Sequence, residues 1–120
     1  MNSFSGIRSY YVEDDFDGKC VVSGACRLIG VQVSRASPTG TNDIQLKIYD
    51  QGGTVGSGAT PVGGNLKITL NWTDEGSKEN TPYYLSLPSG TAVKMDNGIV
   101  VWSADSGDAV VSTCTILCQQ

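Results

Sequence analysis

The sequence predicts an all-β fold, a single two-sheet antiparallel sandwich, jelly-roll-like, with about eight strands in one domain over residues 1–120. Three observations predict it. Segment after segment alternates apolar and polar residues with a period of two, which turns one face of each segment towards a core. Turn residues recur at intervals of about eight to twelve positions, the spacing of sandwiches and jelly rolls. No segment carries the 3.6-residue period of a helix. With 120 residues the chain is near the commonest domain size and long enough to bury a core of its own.

Taken in order, residues 1–18 form an N-terminal arm with a first strand over Ile7 to Val12. Carboxylates at Glu13, Asp15 and Asp17 before Gly18 imitate the opening of an EF-hand loop. The twelfth position of such a loop would be Gly24, where calcium requires a carboxylate, so the segment is a solvated turn. Lys19 to Ala36 is the longest strand-like segment. Cys20, Val22, Cys26 and Leu28 share one parity, whereas Ile29, Val31 and Val33 take the other. A period-two pattern slips by one only through an irregularity, which predicts a bend near Gly24 or a bulge near Gly30.

Asp43 to Asp50 is a half-buried strand with Ile44, Leu46 and Ile48 inward. Gln51 to Asn65 holds six glycines and only two aliphatic residues, Val55 and Val62, and makes a long surface loop suited to contacts. Leu66, Ile68, Leu70 and Trp72 are the inward set of the next strand. Asn71-Trp72-Thr73 fits a glycosylation sequon, but the core phase of Trp72 argues against its use. Pro82 to Trp102 reads as a meander of three short strands, with Asn97-Gly98 as a type I′ hairpin turn, because both central residues of such a turn need positive φ. The last strand, Asp108 to Cys118, puts Val110, Ser112, Cys114 and Ile116 on one face and Val111, Thr113, Thr115 and Leu117 on the other.

The four cysteines, Cys20, Cys26, Cys114 and Cys118, lie near the two ends of the chain. Free buried thiols are the favoured state, since free cysteine is among the most buried residue types. A disulfide between the first and last long strands is the next alternative, and a metal site the least favoured, because the Cys20-x5-Cys26 spacing does not suit one.

Composition narrows the function. A net charge of −4, from eight basic and twelve acidic residues, disfavours nucleic acid and anionic membranes as partners. The sequence contains no histidine, the usual general base and commonest metal ligand. No activated serine or cysteine motif and no phosphate-binding glycine loop is present. Asp96, Asp105 and Asp108 fall in turns at one end, where aspartate normally serves turn hydrogen bonding. The expectation is a non-enzyme with no cofactor and no metal. No basic and apolar leader and no membrane-length apolar run is visible, which suggests synthesis and folding in a cytoplasm. The contact candidates are the aromatic and aliphatic residues off the core phase or in the glycine-rich loop: Tyr10, Tyr11, Val55, Val62, Tyr84, Val100, Trp102 and Val111. Ile99 to Trp102 and Val110-Val111 are apolar on both faces, which predicts self-association, a trimer being favoured.

Gly24 to Val33, Ile44 to Asp50, Lys67 to Leu70, and above all Leu87-Pro88-Ser89-Gly90 followed by Val93 to Val101, resemble the small β-sandwich virion proteins of tailed bacteriophages, the marine and cyanobacterial phages in particular. The likeness spans roughly residues 20–117 and rests on structural motifs. It implies a non-enzymatic virion protein, made in the host cytoplasm, that decorates or cements the capsid against a major capsid or tail protein. The alternative it implies is a tail- or fibre-associated module that binds a carbohydrate or receptor. The four cysteines are no feature of that family's pattern.

Overall fold

The computed structural model describes residues 6–13, 17–37, 43–53, 63–73, 83–87, 92–103 and 110–120. Nine strands run through them: β1 (Ile7–Glu13), β2 (Asp17–Ser23), β3 (Cys26–Ser37), β4 (Asp43–Tyr49), β5 (Leu66–Thr73), β6 (Tyr83–Ser86), β7 (Val93–Met95), β8 (Gly98–Ser103) and β9 (Val110–Gln119). They form two sheets, β1–β9–β3–β6 with β7 also on β3, and β2–β8–β4–β5.

The strand order has a simple origin. β6 and β7 lie end to end along one edge of β3, Tyr83–Ser86 against Gly30–Val33 and Val93–Met95 against Cys26–Leu28. Counted as one broken strand, they make the chain an eight-strand hairpin folded over on itself. β1 pairs with β9, β2 with β8, β3 with β6 and β7, and β4 with β5. Contacts of β9 with β3 and of β8 with β4 join these pairs into two sheets. That arrangement is the expected all-β two-sheet sandwich, and its order is that of a jelly roll.

The expected meander over 82–102 does not form. β7 belongs to one sheet and β8 to the other, so Asn97-Gly98 is a corner between sheets and not a hairpin turn. Alternation specified each strand correctly, but both β6 and β7 found a better partner in β3 than in each other. The first strand expected over Ile7 to Val12 forms, as the edge strand β1, whereas Asp17, expected in a turn, already belongs to β2.

The core lies between the sheets. Leu28, Val31, Val33, Met95, Cys114 and Ile116 face Leu46, Ile48, Ile99 and Val101, each almost fully buried. Burial of each large aliphatic side chain contributes about 1.5–3 kcal/mol. Irregularities decide which residues reach it. Gly24, at φ 101°, turns the chain from β2 into β3, and Ile29 is the extra residue of a bulge between the pairs Leu28–Cys118 and Gly30–Leu117. Both of the irregularities expected in this segment therefore occur, and together they bring Leu28, Val31 and Val33 to the same core. The freed Ile29 carbonyl accepts a hydrogen bond from Leu87 N at 2.9 Å.

Three further slips override the simple alternation. An irregularity between Cys20 and Val22 separates the two, so that only Val22 joins the core. Another, between Ile48 and Tyr49, pairs Tyr49 with Leu66 and leaves Leu66 exposed instead of inward. In β9, Ser112 is skipped between the pairs Arg35–Thr113 and Ala36–Val111, which turns Val111 into the core with Cys114.

Candidate functional site

A buried carboxylate that the sequence pattern did not single out holds one end of the sandwich. Asp50, 5% exposed, follows β4 and faces the corner between β7 and β8. Its Oδ2 accepts a hydrogen bond from Asp96 N at 3.0 Å and its Oδ1 one from Asn97 N at 2.7 Å. Burial alone would raise its pKa, but the backbone donors of Asp96, Asn97 and Gly98, with Lys67 nearby, outweigh it and hold the carboxyl below its ordinary value. Asn97 O in turn accepts a hydrogen bond from Gly24 N at 2.9 Å, which joins the β7–β8 corner to the β2–β3 corner. Every oxygen of Asp50 is thereby turned to the protein's own amides. Asp50 is thus a structural clamp between the end of β4 and the β7–β8 corner.

Asp96 itself lies on the surface, its carboxylate 3.6 Å from Lys94 Nζ with both side chains well exposed, a pair that contributes little to stability. Asp105 and Asp108, its expected companions, lie outside the described residues, as do Val55 and Val62. Among the described residues no group of three or more His, Cys, Asp or Glu is placed to hold a metal ion, and no helix is long and apolar enough to cross a membrane.

None of the four cysteines is joined in a disulfide, and Cys26, Cys114 and Cys118 are buried. Burial pushes the Cys114 thiol up to about 12 and Cys26 to about 11, the latter helped by its neighbour Cys118. Such thiols stay protonated and are poor nucleophiles. Cys26 also lines an open depression of about 420 Å³ with Arg27, Lys94, Met95 and Gln119. Within it Met95 is fully buried, and the polar lining is Arg27, Lys94 and the amides of Gln119 and Gln120.

The remaining contact candidates divide into two groups. Val100 and Val111 are buried by the chain itself, at 0% and 3% exposure, so neither is available to a partner. Val111 was turned inward by the bulge at Ser112; Val100 points away from the main core but lies in register beside Cys20 and Tyr49. Of the apolar strip that called for self-association, Ile99, Val100, Val101 and Val111 are thus buried within the chain. Trp102 is half-buried, with Lys47 Nζ 5.3 Å from the centre of its ring. Tyr10 packs against the core and its hydroxyl donates to Gln120 Oε1 at 2.6 Å.

Tyr11 and Tyr84 differ from all of these. They are 62% and 59% exposed. The register places them in a single row across the outer face of the first sheet: Tyr11 opposite Thr115, Thr115 opposite Gln32, Gln32 opposite Tyr84. The adjacent row runs Ser9, Leu117, Gly30, Ser86. A Cβ at Gly30 would come within 3.2 Å of Leu85 O and 3.3 Å of Leu117 Cδ1, so the Leu117 side chain already covers the place a side chain would take there. The face therefore has a tyrosine on each edge strand, and between them the two central strands carry Thr115 and Gln32 in one row and Leu117 and Gly30 in the next. Three strand spacings, about 14 Å, separate the two edges. The sequence marked both tyrosines, but not Gln32 or Thr115, because nothing local reveals that β9 inserts between β1 and β3.

No family model matches the chain, and no curated protein or solved structure does either.

Proposed function

We propose that the protein is a non-enzymatic surface subunit of a bacteriophage particle, whose working surface is the outer face of the β1–β9–β3–β6 sheet. The observation that carries this reading is the row from Tyr11 to Tyr84, two large side chains held in water on opposite edges of a rigid floor. Exposed aromatic residues on a regular sheet are costly to leave unpartnered, and tyrosine is enriched where proteins make contacts. The particle assignment rests on the resemblance of residues 20–117 to small virion β-sandwich proteins, and the jelly roll is a fold used by capsid and lectin domains alike.

Between the two roles that resemblance implies, the geometry favours attachment to an outside ligand over cementing of a shell. Cementing was expected to use apolar sheet surface and the Gln51 to Asn65 loop; of the sheet candidates Val100 and Val111 are enclosed within the chain, and residues 54–62 of the loop lie outside the described residues. A trimer, if it forms, requires some other surface.

The test is attribution to a particle. An antibody against the chain should label virions purified by density gradient from an infected culture, with the chain in fixed ratio to the major shell protein. Recovery in the unassembled soluble fraction alone overturns the assignment.

A further inference from the structure

We propose that the outer face of the β1–β9–β3–β6 sheet binds an extended, uncharged oligosaccharide that lies across the strands, stacked on Tyr11 at one edge and Tyr84 at the other. The proposal rests on that face being the working surface and names what it takes.

The chemistry of the two central rows points to such a ligand. Their polar side chains are Ser9, Gln32, Ser86 and Thr115, all uncharged, and each hydroxyl or amide both donates and accepts hydrogen bonds. A polyhydroxylated ligand has the same dual character, so every floor group finds a partner whichever way its hydroxyl rotor points. An anionic or cationic ligand would find no counter-charge in these rows. A nucleic acid would need a basic stripe, and the chain carries a net charge of −4.

The position of the aromatic rings separates a sugar from a protein partner. Protein interfaces place their aromatic anchors centrally, in a desolvated apolar patch surrounded by a polar rim. Here the two rings stand at the edges of their row with Thr115 and Gln32 between them, and the neighbouring row has Ser9 and Ser86 at its edges and Leu117 and Gly30 at its centre. Apolar C–H faces of sugar rings stack on tyrosine, while the equatorial hydroxyls are left for hydrogen bonds in the plane between. The span of about 14 Å between edge strands requires an oligosaccharide, since a single sugar touches only one ring. Gln32 and Thr115 lie on β3 and β9, the central strands, so this part of the site is organised before the ligand arrives.

The experiment is a titration of the ¹⁵N-labelled full chain with cellohexaose, xylohexaose, maltohexaose, laminarihexaose and chitohexaose, each to its solubility limit, followed by amide shifts. The expected result is that at least one hexasaccharide moves amides of β1, β9, β3 and β6, with β2, β8, β4 and β5 unmoved, and that EDTA changes nothing. Tyr11→Ala and Tyr84→Ala should each weaken that binding about tenfold, the loss of one stacking contact, while Tyr11→Phe and Tyr84→Phe keep it. No shift with any of the five sugars, or shifts confined to other surfaces, overturns the proposal. If the sugars fail while a Tyr11→Ala/Tyr84→Ala variant still abolishes adsorption to host cells, the oligosaccharide is wrong and the working surface stands, with a protein receptor as its occupant. If the double variant adsorbs like the parent, the working surface itself is overturned.

Discussion

Asp50 Oδ1 accepts a hydrogen bond from Asn97 N at 2.7 Å, tying the end of β4 to the corner where the chain passes from one sheet to the other. The carboxylate takes the role that a partner strand plays elsewhere, receiving amides that a tight corner would otherwise leave unpaired. Asp50→Asn replaces one of the accepting oxygens by a donor. The expected loss is about 1–3 kcal/mol in denaturant unfolding, with the fold retained. An unchanged midpoint would mean that solvent serves this corner equally well.

The same clamp makes stability depend on acid. The Asp50 carboxyl lies below its ordinary value of 3.8 in the folded chain, so its contribution is complete above the unfolded value and is lost as pH falls through the folded one. Thermal midpoints measured from pH 5 downwards should keep their gap between the parent and Asp50→Asn down to about pH 4 and converge only as pH falls further, through the depressed value of the folded Asp50 carboxyl. A constant gap across that range would assign the acid sensitivity to other groups.

Gly98 is required by its backbone and by its surroundings. Its φ is 145°, and a Cβ there would collide with Val22 O and come within 2.9 Å of Gln51 O. Gly98→Ala should therefore destabilise by about 2 kcal/mol or more. Gly53, where a Cβ meets nothing within 4 Å, supplies the control, and Gly53→Ala should stay within about 0.5 kcal/mol of the parent.

Ser103 links the two sheets by a buried hydroxyl. It donates to Gln45 O at 2.8 Å on β4 and accepts from Val111 N at 3.0 Å on β9. Ser103→Ala strands both groups, and the loss should be about 1–3 kcal/mol by chemical denaturation. Equal stability of parent and variant would show that the sheets do not depend on this bridge.

Cysteine reactivity should follow burial. Cys20 is half-buried, and Cys26, Cys114 and Cys118 are buried. Iodoacetamide on the native protein, read by peptide mass spectrometry, should modify Cys20 first and leave Cys114, with its thiol pushed up to about 12, until last. Early labelling of Cys114 would mean that the β9 side of the core opens readily.

Much of the strand content was legible because alternation is a local property. β4 shows it plainly, with Leu46 and Ile48 buried either side of Lys47. Val111 and Leu66 show where local pattern fails. A bulge moves a residue to the other face at the expense of one skipped pair, and whether it forms depends on the neighbouring strand, which alternation cannot name. Asp50 escaped notice for the same reason, since a lone aspartate after a strand looks like any turn residue until Asp96 and Asn97 are brought to it.

By itself, the sequence determined that the chain is all-β, where most strands lie, and that Tyr11 and Tyr84 stand off the core phase. Only the tertiary structure decided that β6 and β7 share β3, that Asn97-Gly98 is a corner between sheets, and that Val100 and Val111 are enclosed. It alone set the two tyrosines in one row with Gln32 and Thr115. The physical reason is range: side-chain period is set by neighbours along the chain, whereas strand pairing is settled by competition among segments far apart in sequence.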